Sequence, residues 1–330
     1  MQHKGKKAYV YPPKSKNRYL ELTRNAISLI GFEVEPLDKN FYRNELLSKR
    51  ESYVVINWAE DFAYPPNSCS IFEHFVRFFK TIILIVFSKI FAKKVIWVRH
   101  NFKPHNAKGS RKRYNFILFL YKTLGITEVS LEDYYSTPSL THPLYISNQE
   151  IQKKIDEPSN DKLKYDVIFF GTIKRYKNLH NLLQDWPASI EIKIAGRCAD
   201  TEYKAELLEI IKYRKLNVIW EEKFLSDEEL NELLEQSRFV LLPHADETMI
   251  SSGTFYHAIS YGCNILVTES KFGLQKSSEH GFVHIYRPEK LSKRRLDSIF
   301  VTKQDVYAEA LKHFGQESVV ASWKKIFDRK

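Results

Sequence analysis

The chain is shaped by a rhythm: short apolar runs alternate, along its whole length, with stretches whose apolar positions recur at the helical period. In the first half, residues 8–11, 33–37, 53–58, 95–100 and 128–131 read as strands, with helical patterns at 17–30, 70–92 and 110–124. The second half continues with strands at 167–171, 191–195, 218–220, 239–243, 264–268 and 283–286. Helical patterns follow at 179–185, 200–214, 227–236, 253–261 and 317–328. Strands separated by helices of about ten residues form βαβ units, which require parallel sheets covered on both faces. Eleven strands crowd a single open sheet, and 330 residues suit two domains at roughly 150 residues each. The expected architecture is α/β, two Rossmann-like doubly wound domains facing a cleft.

The boundary is expected in the polar stretch 147–164, which carries Pro158 and no apolar periodicity. This gives an N-terminal domain at 1–147, a linker at 148–164 and a C-terminal domain at 165–330, whose final helix is free to pack back on the N-domain. Ser226 and Glu229 form a capping box at the start of one helix, and Ser252 is expected to cap another.

Charge is unevenly shared. The chain has 51 Lys+Arg against 40 Asp+Glu, a net of +11. Residues 1–150 hold 23 basic and 13 acidic side chains, a net of +10, which leaves only +1 for the remainder. A basic half suits nucleic acid, an anionic membrane or phosphorylated ligands. No RRM, helix-turn-helix or OB pattern accompanies it, so nucleic acid is not the expected partner. Three widely spaced cysteines (Cys69, Cys198, Cys263) exclude a disulfide framework and a CxxC zinc site.

Residues 1–13 are too short and too proline-rich around their apolar run for a secretory leader. The most apolar segment, TIILIVFSKIFA at 81–92, is interrupted by Lys89 and flanked by Arg77, Lys80, Lys93 and Lys94. It falls short of the about 20 residues a membrane span needs. It reads as a core helix or as an interfacial helix lying on a membrane.

In doubly wound folds, ligands meet the loops at the carboxyl ends of strands. After strand 167–171 comes GTIKRYKN, where Gly171 lets the chain turn and Lys174, Arg175 and Lys177 offer cations to a phosphate or diphosphate. After strand 239–243 come Asp246 and Glu247, suited to sugar hydroxyls, and then Ser251, Ser252, Gly253 and Thr254, a small-residue helix start suited to a phosphate. After strand 95–100, His100, Asn101 and His105 reach the same end; a histidine there can donate to a sugar hydroxyl or accept a proton. Without a third ligand these histidines make no zinc site. Glu60 and Asp61, after strand 53–58, are candidate acids or bases on the acceptor side.

These segments together resemble a known family. GTIKRYKN, IAGR, VIWEEKFLSDEELNELLEQSRFVLLPH and SSGTFYHAISYGCNILV are similar to the C-terminal half of GT-B glycosyltransferases near the family 4 type. VIWVRHNFKPH and INWAEDF resemble segments of bacterial surface-polysaccharide glycosyltransferases. The resemblance implies that Gly171 and Lys177 hold a nucleotide-sugar diphosphate with Ser252, Gly253 and Thr254, and that His100 lies by the donor sugar. The family usually carries two glutamates eight positions apart. Here the second falls on His257 and the first near Met249, so Glu247 has to serve from a shifted position.

The implied activity is transfer of a sugar, a hexose, from a UDP- or GDP-sugar to a glycan or polyprenyl-diphosphate-linked acceptor in capsule, O-antigen or exopolysaccharide synthesis. The expected catalytic residues are His100, Glu247 and Asp61, with no metal ion and no cofactor. The basic N-domain, through the helices at 72–92 and 110–122, is expected to rest on the anionic inner face of the cell membrane from the cytoplasm. The missing glutamate pair keeps open a catalytically inactive homologue acting as an assembly partner, and the basic half a nucleic-acid-binding protein.

Overall fold

The computed structural model describes residues 3, 5–45, 51–62, 70–102, 111–158, 163–243 and 250–329. The chain divides into two units. One comprises Met1–Pro143, Met249–Ser251 and Glu317–Lys330; the other comprises Leu144–Thr248 and Ser252–Gln316.

The first unit runs β1 (Lys7–Tyr11), α1 (Arg18–Leu29), β2 (Glu33–Pro36), α2 (Lys39–Glu45), β3 (Tyr53–Asn57), α3 (Ala59–Phe62), α4 (Ile71–Phe91), β4 (Lys94–Arg99), α5 (Arg111–Thr123) and β5 (Thr127–Ser130). Its five strands are all parallel, in the order β2-β1-β3-β4-β5. Side chains alternate across a strand, so apolar runs supply both faces at once. Ala8, Val10, Val55, Ile96 and Val98 meet Leu20 and Ile27 of α1 and Val319, Trp323 and Phe327 of the C-terminal helix, Gln316–Asp328. Tyr9, Val54, Ile56, Val95 and Trp97 meet Phe41 of α2, Ile85 of α4 and Ile117 and Tyr121 of α5. Each such side chain, once fully buried, contributes roughly 1.5–3 kcal/mol. The C-terminal helix joins this unit because its apolar stripe recurs every three to four residues and finds the sheet face beside α1.

The second unit runs α6 (Asn148–Asp156), β6 (Tyr165–Phe170), a 3-10 turn at Arg175–Lys177, α7 (Leu179–Asp185), β7 (Ile192–Ala195), α8 (Thr201–Tyr213), β8 (Val218–Glu221), α9 (Asp227–Glu235) and β9 (Ser237–Leu242). It continues through α10 (Gly253–Ser260), β10 (Asn264–Val267), α11 (Lys271–Glu279), β11 (Val283–Ile285), α12 (Lys293–Ile299) and α13 (Lys303–Phe314). Its six strands are parallel, in the order β11-β10-β9-β6-β7-β8. Counted from β6 this is the 3-2-1-4-5-6 order of dinucleotide-binding folds, whereas the first unit has the 2-1-3-4-5 order. Strand order reverses between β6 and β9 in one sheet and between β1 and β3 in the other. The loops leaving these strands are where ligands dock in such folds.

All eleven expected strands form, within two residues of the expected bounds, and the Ser226–Glu229 capping box is in place. The stretch expected to be a plain linker differs. Ser147 and Glu150 form a second capping box, and Ile151 is fully buried, so α6 forms and packs on α13. One anchored apolar residue and a good cap suffice where periodicity is too short to see. Ser252 does occupy the N-cap position of α10, but its side chain makes no capping bond.

Candidate functional site

At the end of β6 the backbone turns at Gly171, whose φ of 97° lies in the region glycine favours. The turn is laced to the loop after β7: Gly171 N donates to Ala195 O at 3.0 Å and Ile173 N to Arg197 O at 3.0 Å. The crossing is so close that a Cβ on Gly196 would stand 2.1 Å from the Gly171 carbonyl oxygen. A Cβ on Gly171 would stand 3.2 Å from Lys177 Nζ, which places that ammonium group directly against the turn. The 3-10 turn returns Lys177 under the strand end, and Asn178 (φ 59°) passes the chain into α7.

Lys177 is buried, with its ammonium group 5.4 Å from the Phe169 ring centroid. No ion pair or hydrogen bond to that group occurs among the described residues. Burial, aided by the nearby Lys174 charge, lowers its pKa to about 8, so the group is still a cation at neutral pH. Lys174 is exposed. Arg175 is committed elsewhere: it pairs with Glu206 of α8 at 2.7 Å and lies over the Tyr203 ring. Both partners of this pair face water, which screens their attraction, so the guanidinium is tethered only lightly.

The strand beside β6 leads to α10. Gly253 is exposed at its first position, and a Cβ there would meet Tyr145 Oη at 3.1 Å. The free N–H groups of the first turn lie behind it. Beneath this helix Tyr145 stacks on His257 at 4.4 Å, and His257 sets its ring edge-on to Phe170 at the end of β6. Burial lowers the His257 pKa to about 4, so the position where the family carries a carboxylate holds a neutral ring. Ser251 does not join the helix start as expected: its hydroxyl donates to Glu132 Oε1 at 2.6 Å, within the first unit. Glu247, Asp246 and His105 lie outside the described residues, as does the Glu60 side chain.

In the first unit, His100 follows β4 and is buried. Its Nε2 lies 3.0 Å from Asn57 Oδ1, Trp58 stacks on its face at 4.2 Å, and Tyr19 of α1 meets it edge-on at 5.1 Å. Burial, with a smaller contribution from His142, lowers its pKa to about 3. Asn57 ends β3 and Trp58 follows it in the quoted INWAEDF segment; the one sequence signal for them is a polar residue closing an otherwise apolar strand. Tyr145 gave no signal of its own.

Asp61 of α3 is half-buried, with Oδ1 unpartnered among the described residues, and burial raises its pKa to about 6. A base poised there is ionised at neutral pH. Because the folded state holds this proton more tightly than the unfolded chain, stability falls as pH rises from about 4 to about 6. Asp61→Asn is expected to stabilise the fold at pH 7 by on the order of 2 kcal/mol and to leave it nearly unchanged at pH 4. Urea unfolding at both pH values checks this; equal effects at the two would contradict the burial of the carboxylate.

One surface stands apart. Phe72, Phe75, Phe79, Ile83, Phe87 and Ile90 of α4 are all exposed, Phe72 by 76% and Phe79 by 57%. Their spacing of three or four residues puts them on one helical face. Phe116 and Phe119 of α5 extend the patch, linked to it by a Phe78–Phe116 ring contact at 6.0 Å and by Arg113 over the Phe75 ring at 4.8 Å. Arg77, Lys80, Lys93, Lys112 and Lys122 are exposed on the same two helices and their ends. No helix among the described residues is long and apolar enough to cross a membrane.

No protein-family model and no curated protein matches the chain. Solved structures do. The Anabaena protein Alr3699/HepE, solved in complex with UDP and glucose, aligns at a TM-score of 0.61 with 12% identity, over 98% of this chain and 99% of that one. AviGT4, a glycosyltransferase involved in avilamycin A biosynthesis, aligns at 0.56 with 13% identity, over 98% and 97%. The N-terminal domain of Candida albicans trehalose-6-phosphate phosphatase aligns at 0.55 with 10% identity, over 89% and 95%. Identities this low speak to architecture alone. The chain has the two-domain parallel α/β fold of the GT-B glycosyltransferases.

Proposed function

We propose that this chain is a glycosyltransferase that moves a hexose from a UDP- or GDP-sugar to a glycan or lipid-linked acceptor in the making of a bacterial surface polysaccharide. The observation that carries the reading is Lys177: a buried cation with no carboxylate partner among the described residues, held against a glycine turn where the strand order reverses. Burying a charge is costly unless something pairs with it, and a diphosphate supplies the missing partner. Lys174 and the open start of α10 at Ser252, Gly253 and Thr254 would add charge and N–H donors, and no metal ion is required in this scheme. As the glycosidic bond to phosphate breaks, negative charge grows on the leaving diphosphate, and these groups stabilise it. His100 is assigned to the donor sugar, and Asp61 and Glu247 to proton handling. The solved HepE complexes with UDP and glucose or UDP-glucose favour a uridine nucleotide as the first donor to try.

The test is a thermal-shift panel of UDP, GDP, CMP and ADP. A ligand at 100 times its Kd adds about 2.7 kcal/mol to the native state and raises the midpoint accordingly. UDP or GDP is expected to do so, and no response to any nucleotide at millimolar concentration would remove the donor site. Binding without transfer from a labelled nucleotide-sugar would favour the inactive homologue, a reading that the neutral His257 at the family's carboxylate position keeps in view.

The exposed aromatic stripe of α4 and α5, ringed by cations, supports a peripheral seat on an anionic bilayer, where a lipid-linked acceptor resides.

A further inference from the structure

The ring of His100 is held by a hydrogen-bond chain whose polarity can be read from end to end. The chain begins at the backbone carbonyl of Tyr11, which only accepts, so Asn57 must present its Nδ2 there, at 3.1 Å. That leaves Oδ1 against His100 Nε2 at 3.0 Å. An amide oxygen also only accepts, so Nε2 carries the proton. A neutral imidazole protonated at Nε2 keeps its lone pair on Nδ1, and no described residue bonds to that nitrogen. Burial keeps the ring neutral. Trp58 flat on one face and Tyr19 against its edge hold the ring from turning. Trp58 itself sits at a φ of 51°, a left-handed conformation that is strained for so bulky a residue.

We infer that Asn57 is a positioning residue that locks His100 in its Nε2–H tautomer, so that Nδ1 is left as a pure acceptor. That His100 serves a sugar donor rests on the proposed function; the tautomer does not.

The experiment is ring nitrogen spectroscopy of protein labelled with 15N-histidine. His100 is picked out from the 11 histidines by its loss in His100→Gln. The wild-type spectrum alone decides the tautomer: a neutral Nε2–H ring at pH 7 is expected, and an Nδ1–H ring or an imidazolium overturns the assignment. In Asn57→Ala the ring is expected to exchange between tautomers, with Asn57→Asp restoring the Nε2–H form because a carboxylate still accepts. A folded Asn57→Ala protein that keeps the pure wild-type tautomer overturns the positioning role. Neither result depends on whether a nucleotide-sugar binds, so the failure of that reading would leave the role of Asn57 standing.

Discussion

Lys177→Met is expected to abolish the nucleotide-induced thermal shift and to lower sugar transfer at least 100-fold, while the unliganded protein becomes more stable. The first two effects follow from removing the cation placed against the diphosphate; losing one preorganised group aimed at developing charge costs about 100- to 1,000-fold in rate. The third follows from burial. The unfolded chain holds the lysine proton up to its usual 10.5, whereas the folded chain releases it near 8. Between those values the unfolded state binds more protons, so wild-type stability climbs with pH by about 3 kcal/mol across that window. Methionine fills a similar volume without a charge, so Lys177→Met should already hold most of that stability at pH 7 and show no further rise from 8 to 10.5. Chemical unfolding from pH 7 to 10.5, beside nucleotide titration, tests both sides together. A mutant that is less stable at pH 7 and still binds UDP would mean that the lysine serves the fold, not a ligand.

Much of this was legible in the sequence because parallel strands buried on both faces write themselves as continuous apolar runs. IFF in β6 and VLL in β9 are such runs, and the glycine and cations that follow β6 are local signals. What the sequence did not reveal depended on partners distant along the chain. Arg175 and Lys177 are two residues apart and chemically alike, yet a Glu206 on α8 draws one outward while the turn folds the other under β6. Ser251 and Ser252 are adjacent, yet only the first meets Glu132, 119 residues earlier. The polarity of His100 is likewise set by Asn57 and Tyr11, which reach it only because β1, β3 and β4 are neighbours in the sheet. Helices α2, α3, α6, α11, α12 and α13 went unassigned for a related reason. Several are only one or two turns long, too few for a period to show, and their caps and single anchors emerge only against the sheet.

Replacing Phe75, Phe79 and Ile83 together with serine is expected to weaken binding to vesicles of anionic lipid about 100-fold and to leave the fold and nucleotide binding intact. These side chains are about half exposed, so the fold gains little from them. Moving the exposed half of each into the acyl boundary is worth about 1 kcal/mol, or about 3 kcal/mol for the three, which is roughly two decades in partition. Charge supplies the second component. Arg77, Lys80, Lys93, Lys112 and Lys122 each contribute about 1 kcal/mol near an anionic surface, and that share fades with salt. Only one acidic residue, Glu73, lies on α4 and none on α5. A stripe reserved for a protein partner would leave the isolated chain unbound to vesicles of either composition, and pairing with a second copy would show as a change of mass on dilution. Binding is therefore expected to require phosphatidylglycerol or a similar anionic lipid, to weaken between 50 and 500 mM salt, and to lose its apolar share in the triple mutant. Vesicle sedimentation across those conditions decides the matter. Unchanged binding by the triple mutant, or no vesicle binding at all, would remove the membrane from this face of the molecule, and equal binding to neutral vesicles would remove the anionic lipid.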